Sequence, residues 1–192
     1  MIEKCADAIT NWLISYEVVG EKDKELYIYA VYSILLSLSP MLLVIGFGIC
    51  MGCVVQSVMI MLPSVIIRKF SGGYHTKNAW SCLIGSCFLL IICMVLSSYI
   101  KSEIMLALIT VGAVGSLIYF SPIDNENRVL GTEEHNRYKR ITTVLVMVFL
   151  FLDVSFFSFR LNTYFICISI AIILSASLQL PCILSRIVKK II

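Results

Sequence analysis

The chain has 192 residues, 59% of them hydrophobic and 14% charged, with a mean hydropathy of +0.95. Water-soluble domains are about 45–50% apolar and about 25% charged, so this composition excludes an ordinary soluble fold and requires lipid as solvent. A net charge of +3 is too small for a nucleic-acid footprint and removes nucleic acid from the expected partners.

Residues 2–16, IEKCADAITNWLISY, set Ile2, Cys5, Ile9, Trp12, Leu13 and Tyr16 at helical spacing, opposite Glu3, Lys4, Asp7 and Asn11. The segment is too polar to span a bilayer. It fits an in-plane helix with Trp12 at the headgroups, or a helix packed on protein. From Leu26 to Ile67 no residue is charged, a run of 42 residues. One span needs about 20 residues, so two spans fit here, with a turn within 46–52 and Pro40 kinking the first. Further spans are predicted over 79–100, 104–120, 141–159 and 161–185. The expected architecture is all-α: a polytopic membrane protein of about six transmembrane helices plus an N-terminal amphipathic interfacial helix. It is read as one integral-membrane unit over 1–192, with no removable signal peptide, because the N-terminus lacks a basic region followed by a short apolar core.

The charges orient these spans. With the N-terminus inside, the cytoplasmic stretches are 1–25, 68–78, 121–140 and the tail. Of the 15 lysines and arginines, only Lys101 and Arg160 fall elsewhere. That asymmetry predicts cytoplasmic N- and C-termini.

Eight cysteines are present. Most lie in apolar runs, where a thiol behaves as a small hydrophobe, and no structural disulfide is expected. Cys50 and Cys53 form a CxxC, but GFGICMGCVV offers no ionisable neighbour to activate either thiol, so both read as packing residues. Two widely separated histidines and lipid-buried cysteines make a poor zinc site; neither a metal nor a cofactor is expected.

RKFSGGYHTKNAWSC, Arg68 to Cys82, is the longest polar interruption in the first half. His75 follows Gly72 and Gly73 and precedes a helix expected to start near 76–78. Cys82 lies further into that helix. Residues seven apart share a helix face with Cα atoms about 10.5 Å apart, but helical side chains lean toward the N-terminus and the glycines let the chain fold over. An imidazole–thiol contact is therefore feasible. An ion pair with His75, the helix N-terminus and Lys77 all favour the thiolate, as covalent acyl transfer requires. The plainer reading is a basic loop that fixes topology, followed by a packing cysteine. Cys87 points elsewhere on the helix, and His135, among the charges of GTEEHNRYKR, reads as a solvated loop residue.

RKFSGGYH with a cysteine seven residues after the histidine resembles the accessory gene regulator B (AgrB) family of quorum-sensing membrane peptidases. SPIDNENRVLGTEEHNRYKR resembles that family's second cytoplasmic loop, with Pro122 and Asn127 at corresponding places, although acids balance bases here where the family often carries a lysine-rich run. Length and span count agree over nearly the whole chain. The resemblance implies a cysteine endopeptidase that cuts the C-terminal part from an AgrD-type propeptide through an acyl-enzyme, and promotes closure of a thiolactone or lactone ring. It implies Cys82 as nucleophile and His75 as base, with Arg68, Gly72 and Gly73 shaping the loop. Asn78 and Asp124 are candidates to orient His75, and Lys77 to contact substrate. A homodimer in the lipid bilayer of a bacterial cell membrane is also implied. The competing classes are a small channel or transporter, for which Asp153 within a span is the pointer, and a non-enzymatic scaffold.

Overall fold

The structure, a computed structural model, describes residues 2–16, 20–72, 79–100, 102–123 and 131–184. The described residues form seven named α-helices: α1 (Ile2–Ser15), α2 (Lys24–Cys50), α3 (Val54–Ser71), α4 (Ala79–Ser97), α5 (Glu103–Phe120), α6 (Thr132–Ser158) and α7 (Asn162–Ser177). After a turn at Leu178 and Gln179, a short helical stretch continues over 180–184. Among the described residues, five helical segments are long and apolar enough to cross a membrane: Glu21–Cys50, Val54–Ser71, Glu103–Phe120, Thr132–Ser158 and Asn162–Leu184. Ile84–Ser97, within α4, is a shorter apolar helix. The all-α polytopic membrane architecture expected from composition is the one observed.

α7 is the hub. It packs against α3, α4, α5 and α6, and 56% of its most apolar window is buried, against 12% for α2. Two faces of α7 serve two cores. Cys167, Ile170 and Leu174 join Val44, Ile60, Met61, Leu90 and Met94 from α2, α3 and α4. Ile168, Ile172 and Ala176 join Ile67, Val114, Leu117 and Val146 from α3, α5 and α6. Large apolar side chains elsewhere point outward, among them Leu42, Phe88, Leu108 and Phe151. Such a surface is what a bundle solvated by lipid presents.

Within the bundle the tight contacts are made by small and polar residues, the pattern of helix packing in membranes. A Cβ at Gly48 of α2 would meet Ser57 Oγ at 2.1 Å and Ser57 Cβ at 2.9 Å. The Ser57 hydroxyl already lies 3.0 Å from the Cys53 carbonyl and 2.8 Å from the Met94 sulfur. Gly48→Ala therefore has to part α2 from α3 and is expected to destabilise by about 1–3 kcal/mol. Unfolding midpoints in detergent test this; an unchanged midpoint contradicts the close approach. The α2–α3 turn falls at Met51–Cys53 with Gly52 at φ 68°, at the C-terminal edge of the predicted window.

One boundary and one packing face differ from expectation. The segment 121–140 is only partly loop, because α6 begins at Thr132 rather than near 141. Glu133 and Glu134 in its first turn oppose the helix dipole favourably, and the charged face runs on into the apolar span without a break. α1 packs on α2, yet it buries Ala6 and Thr10 and not the large apolar face that the periodicity picked out. Ile9, Trp12 and Tyr16 stay exposed, Trp12 by 59%. Protein packing and an outward apolar stripe thus coexist on one helix.

Asp153 of α6 is 3% exposed. Its carboxyl accepts the Ser169 hydroxyl of α7, with Oδ1 at 3.0 Å and Oδ2 at 3.1 Å. The intramembrane acid is a tie between two packed helices.

Candidate active site

α3 ends on Arg68, Lys69, Phe70 and Ser71, and its cap is Gly72, whose N–H donates to the Arg68 carbonyl at 3.2 Å. Gly72 has φ 72° and ψ −168°, a region open essentially to glycine alone. It forms an isolated parallel bridge with Ile123, and the Ile123 N–H donates to the Ser71 carbonyl at 3.0 Å. A Cβ on Gly72 would lie 2.4 Å from the Ile123 carbonyl oxygen. The glycine is thus required twice, by its backbone angles and by the chain pressed against it.

The first and second polar segments are therefore joined where they leave the bundle. A third element closes the junction. Gln179, in the turn after α7, is 0% exposed, and its Nε2 donates to the Ser71 carbonyl at 3.0 Å and the Ser121 hydroxyl at 2.8 Å. Ser71, Ser121 and Ile123 are buried as well. The C-terminal ends of α3, α5 and α7 thus meet on one side of the bundle. On the other side, Asn162 Nδ2 at the start of α7 donates to Glu103 Oε1 at the start of α5.

Next to this junction, Phe70 of α3 packs on Tyr138 of α6, ring centroids 5.9 Å apart. This contact lays the charged start of α6 beside the end of α3. An open groove of about 470 Å³ runs along that part of α6, lined by Glu133, Asn136, Arg137, Arg140 and Ile141.

The structure places the sequence-predicted residues unevenly. Arg68 sits in the last turn of α3 and Gly72 at its cap. Cys82 is the fourth residue of α4 as described from Ala79. Only its backbone is described. Gly73, His75, Lys77, Asn78, Asp124 and Asn127 lie outside the described residues. Cys87 is five positions beyond Cys82 in α4, which turns it about 140° around the helix and about 7.5 Å along it. The thiols of Cys5, Cys50, Cys53, Cys87, Cys93 and Cys167 are free. No group of three or more His, Cys, Asp or Glu able to hold a metal ion occurs among the described residues.

Sequence reasoning missed Ser71, Ser121 and Gln179. One signal was present: Gln179 is a lone amide in the apolar run SASLQLPC, and a polar group at membrane depth is costly unless it is bonded.

The family model for accessory gene regulator B matches residues 6–181. The chain belongs to the AgrB family. It is 22% identical over 163 residues to the AgrB-like protein 2 of Clostridium perfringens (strain 13 / Type A), covering 80% of this chain and 76% of that one. It is 25% identical over 165 residues to the AgrB-like protein of Clostridium perfringens (strain SM101 / Type A), covering 80% and 76%. No solved structure matches. AgrB membership links the chain to quorum sensing at the membrane and implies an AgrD-type propeptide as substrate class. The matched region takes in the end of α3, the start of α4 and Gln179, so the whole junction lies within the AgrB unit.

Proposed function

We propose that the chain is a membrane cysteine endopeptidase that matures a cyclic signalling peptide. Cys82 is the nucleophile and His75 the base. His75 takes the thiol proton, and the thiolate attacks the scissile carbonyl of the AgrD-type propeptide. The C–N bond breaks, the C-terminal fragment leaves as an amine carrying the proton from His75, and the N-terminal fragment stays on Cys82 as a thioester. A thiol or hydroxyl inside the same peptide then attacks that thioester. The ring closes as a thiolactone or lactone, and Cys82 is released.

The observation that carries this reading is local. The RKFSG end of α3 and the described start of α4, where Cys82 stands, are joined by a short segment whose start is locked by the Gly72–Ile123 bridge. The helix dipole at Cys82 favours a thiolate. Position matters too: a thioester at a membrane face is shielded from bulk water and meets the peptide's own nucleophile first.

In this reading the junction of α3, α5 and α7 faces the cytoplasm, as do both termini. The charge asymmetry supports it, and so does the meeting of three alternate helix ends on one side. Labelling with a membrane-impermeant maleimide on whole cells, resolved by site, tests the orientation. Glu134→Cys is expected to stay unlabelled until lysis and Ser102→Cys to label at once. The reverse pattern puts Cys82 out of reach of a cytoplasmic propeptide. The activity itself is tested by the size shift of a tagged propeptide co-expressed with wild type or with Cys82→Ala.

A further inference from the structure

We infer that Gln179 is a positioning residue for the peptidase reaction: its buried carboxamide fixes where the His75 segment and the second cytoplasmic loop leave the bundle. The role rests on the reading of Cys82 and His75 as the catalytic pair.

Both donors of the Gln179 amide are used, and each holds a different polypeptide stretch. One holds the Ser71 carbonyl at the end of α3, the other the Ser121 hydroxyl at the end of α5. The Ser71 carbonyl also accepts the Ile123 N–H, so a single oxygen is shared by α7 and the second loop. Gly72 and Ile123 run parallel at their bridge, and both chains therefore enter their loops in the same direction. Three residues of chain span at most about 10 Å, so the anchor at Gly72 bounds where His75 can stand. Asp124 directly follows Ile123 and is bounded more tightly still.

The other half of the amide is the second observation. Gln179 Oε1 is buried and has no hydrogen-bond partner among the described residues. A buried amide oxygen without a partner is costly. It lies on the same planar group that grips Ser71 and Ser121, at the root of the His75 segment. Gln179 touches neither substrate nor thiol in this account; it acts through the position of His75.

Gln179→Met keeps the length of the side chain and removes both donors and the acceptor. With a tagged AgrD-type propeptide in proteoliposomes, kcat is expected to fall about 10- to 100-fold, with KM changed less than about threefold. Site-resolved alkylation of Cys82 by iodoacetamide across pH supplies the readout that a purely structural role would not move. In the variant the alkylation midpoint is expected to rise toward about 8.5, the value of a free thiol. Ser121→Ala is expected to lose less activity, and its effect to be non-additive with Gln179→Met because both act on one junction. A Gln179→Met protein with wild-type kcat and an unchanged alkylation profile overturns the inference, while an inactive Cys82→Ala leaves the peptidase reading in place. A lower unfolding midpoint with an unchanged profile in the folded fraction overturns it too, since Gln179 would then serve stability alone. If Cys82→Ala still cuts, the peptidase reading fails and this role of Gln179 fails with it.

Discussion

Replacing Cys82 with alanine is expected to reduce propeptide cleavage by at least about 10³-fold, because no acyl-enzyme can form without the thiol. Cys82→Ser should be nearly as inactive, since a hydroxyl is scarcely ionised near neutral pH and a lone histidine activates it poorly. His75→Ala should lose most activity, as a thiol without a cationic partner returns toward its ordinary pKa of about 8.5. Cys87→Ala should cut normally: Cys87 lies on another face of α4 and deeper in the bundle. Each variant must first reach the membrane in normal amounts. Cleavage by Cys82→Ala together with failure of Cys87→Ala would move the nucleophile within α4; cleavage by both would end the cysteine-peptidase reading.

The second large effect is expected at Gly72. An alanine there meets two obstacles at once. Its backbone angles, φ 72° and ψ −168°, cost a residue with a Cβ about 1–3 kcal/mol, and the new carbon would lie 2.4 Å from a backbone oxygen of Ile123. Backbone cannot swing aside as a flexible side chain can, so the bridge must open. A shift of about 1 Å in the segment that follows is enough to cost about 10²-fold in rate. Gly72→Ala is therefore expected to lose roughly that much cleavage, with Gly72→Val losing more. Gly115→Ala in α5 serves as the control, since its Cβ would meet nothing within 4 Å. Cleavage by Gly72→Ala at the Gly115→Ala level contradicts the junction as drawn.

The spans were legible because lipid imposes a one-dimensional code. The charge-free run from 26 to 67 had to hold two crossings, and the glycines had to supply the turn, as Gly52 does. The arrangement of the spans was not legible. In water an apolar stripe marks the core, but in lipid both the core and the outer surface are apolar, and the contrast that identifies the hub disappears. What marks α7 as central is its content of small and hydroxylated residues, with Ser169, Ala171, Ser175 and Ala176 all buried. The same inversion explains α1, where Ala6 and Thr10 face protein while Trp12 faces outward.

For the candidate site, Arg68, Gly72 and Cys82 were singled out because they stand within one contiguous motif. Gln179 was not, since its partner Ser71 lies 108 positions away and no local pattern announces that closure. The start of α6 was misjudged for a related reason. Charges were taken as the mark of a loop, whereas Glu133 and Glu134 open a helix whose charged turns simply precede the membrane.

The central claim is a covalent intermediate on Cys82, and trapping it is the most direct test. Membranes holding the wild-type chain and a tagged AgrD-type propeptide, whose internal nucleophile has been replaced so that ring closure is blocked, can be quenched in acid and digested for mass spectrometry. The account predicts the N-terminal propeptide fragment in thioester linkage to Cys82, removable by hydroxylamine and absent from Cys82→Ala. Propeptide cleavage with no adduct on Cys82, or with the adduct on Cys87 or another cysteine, would contradict it.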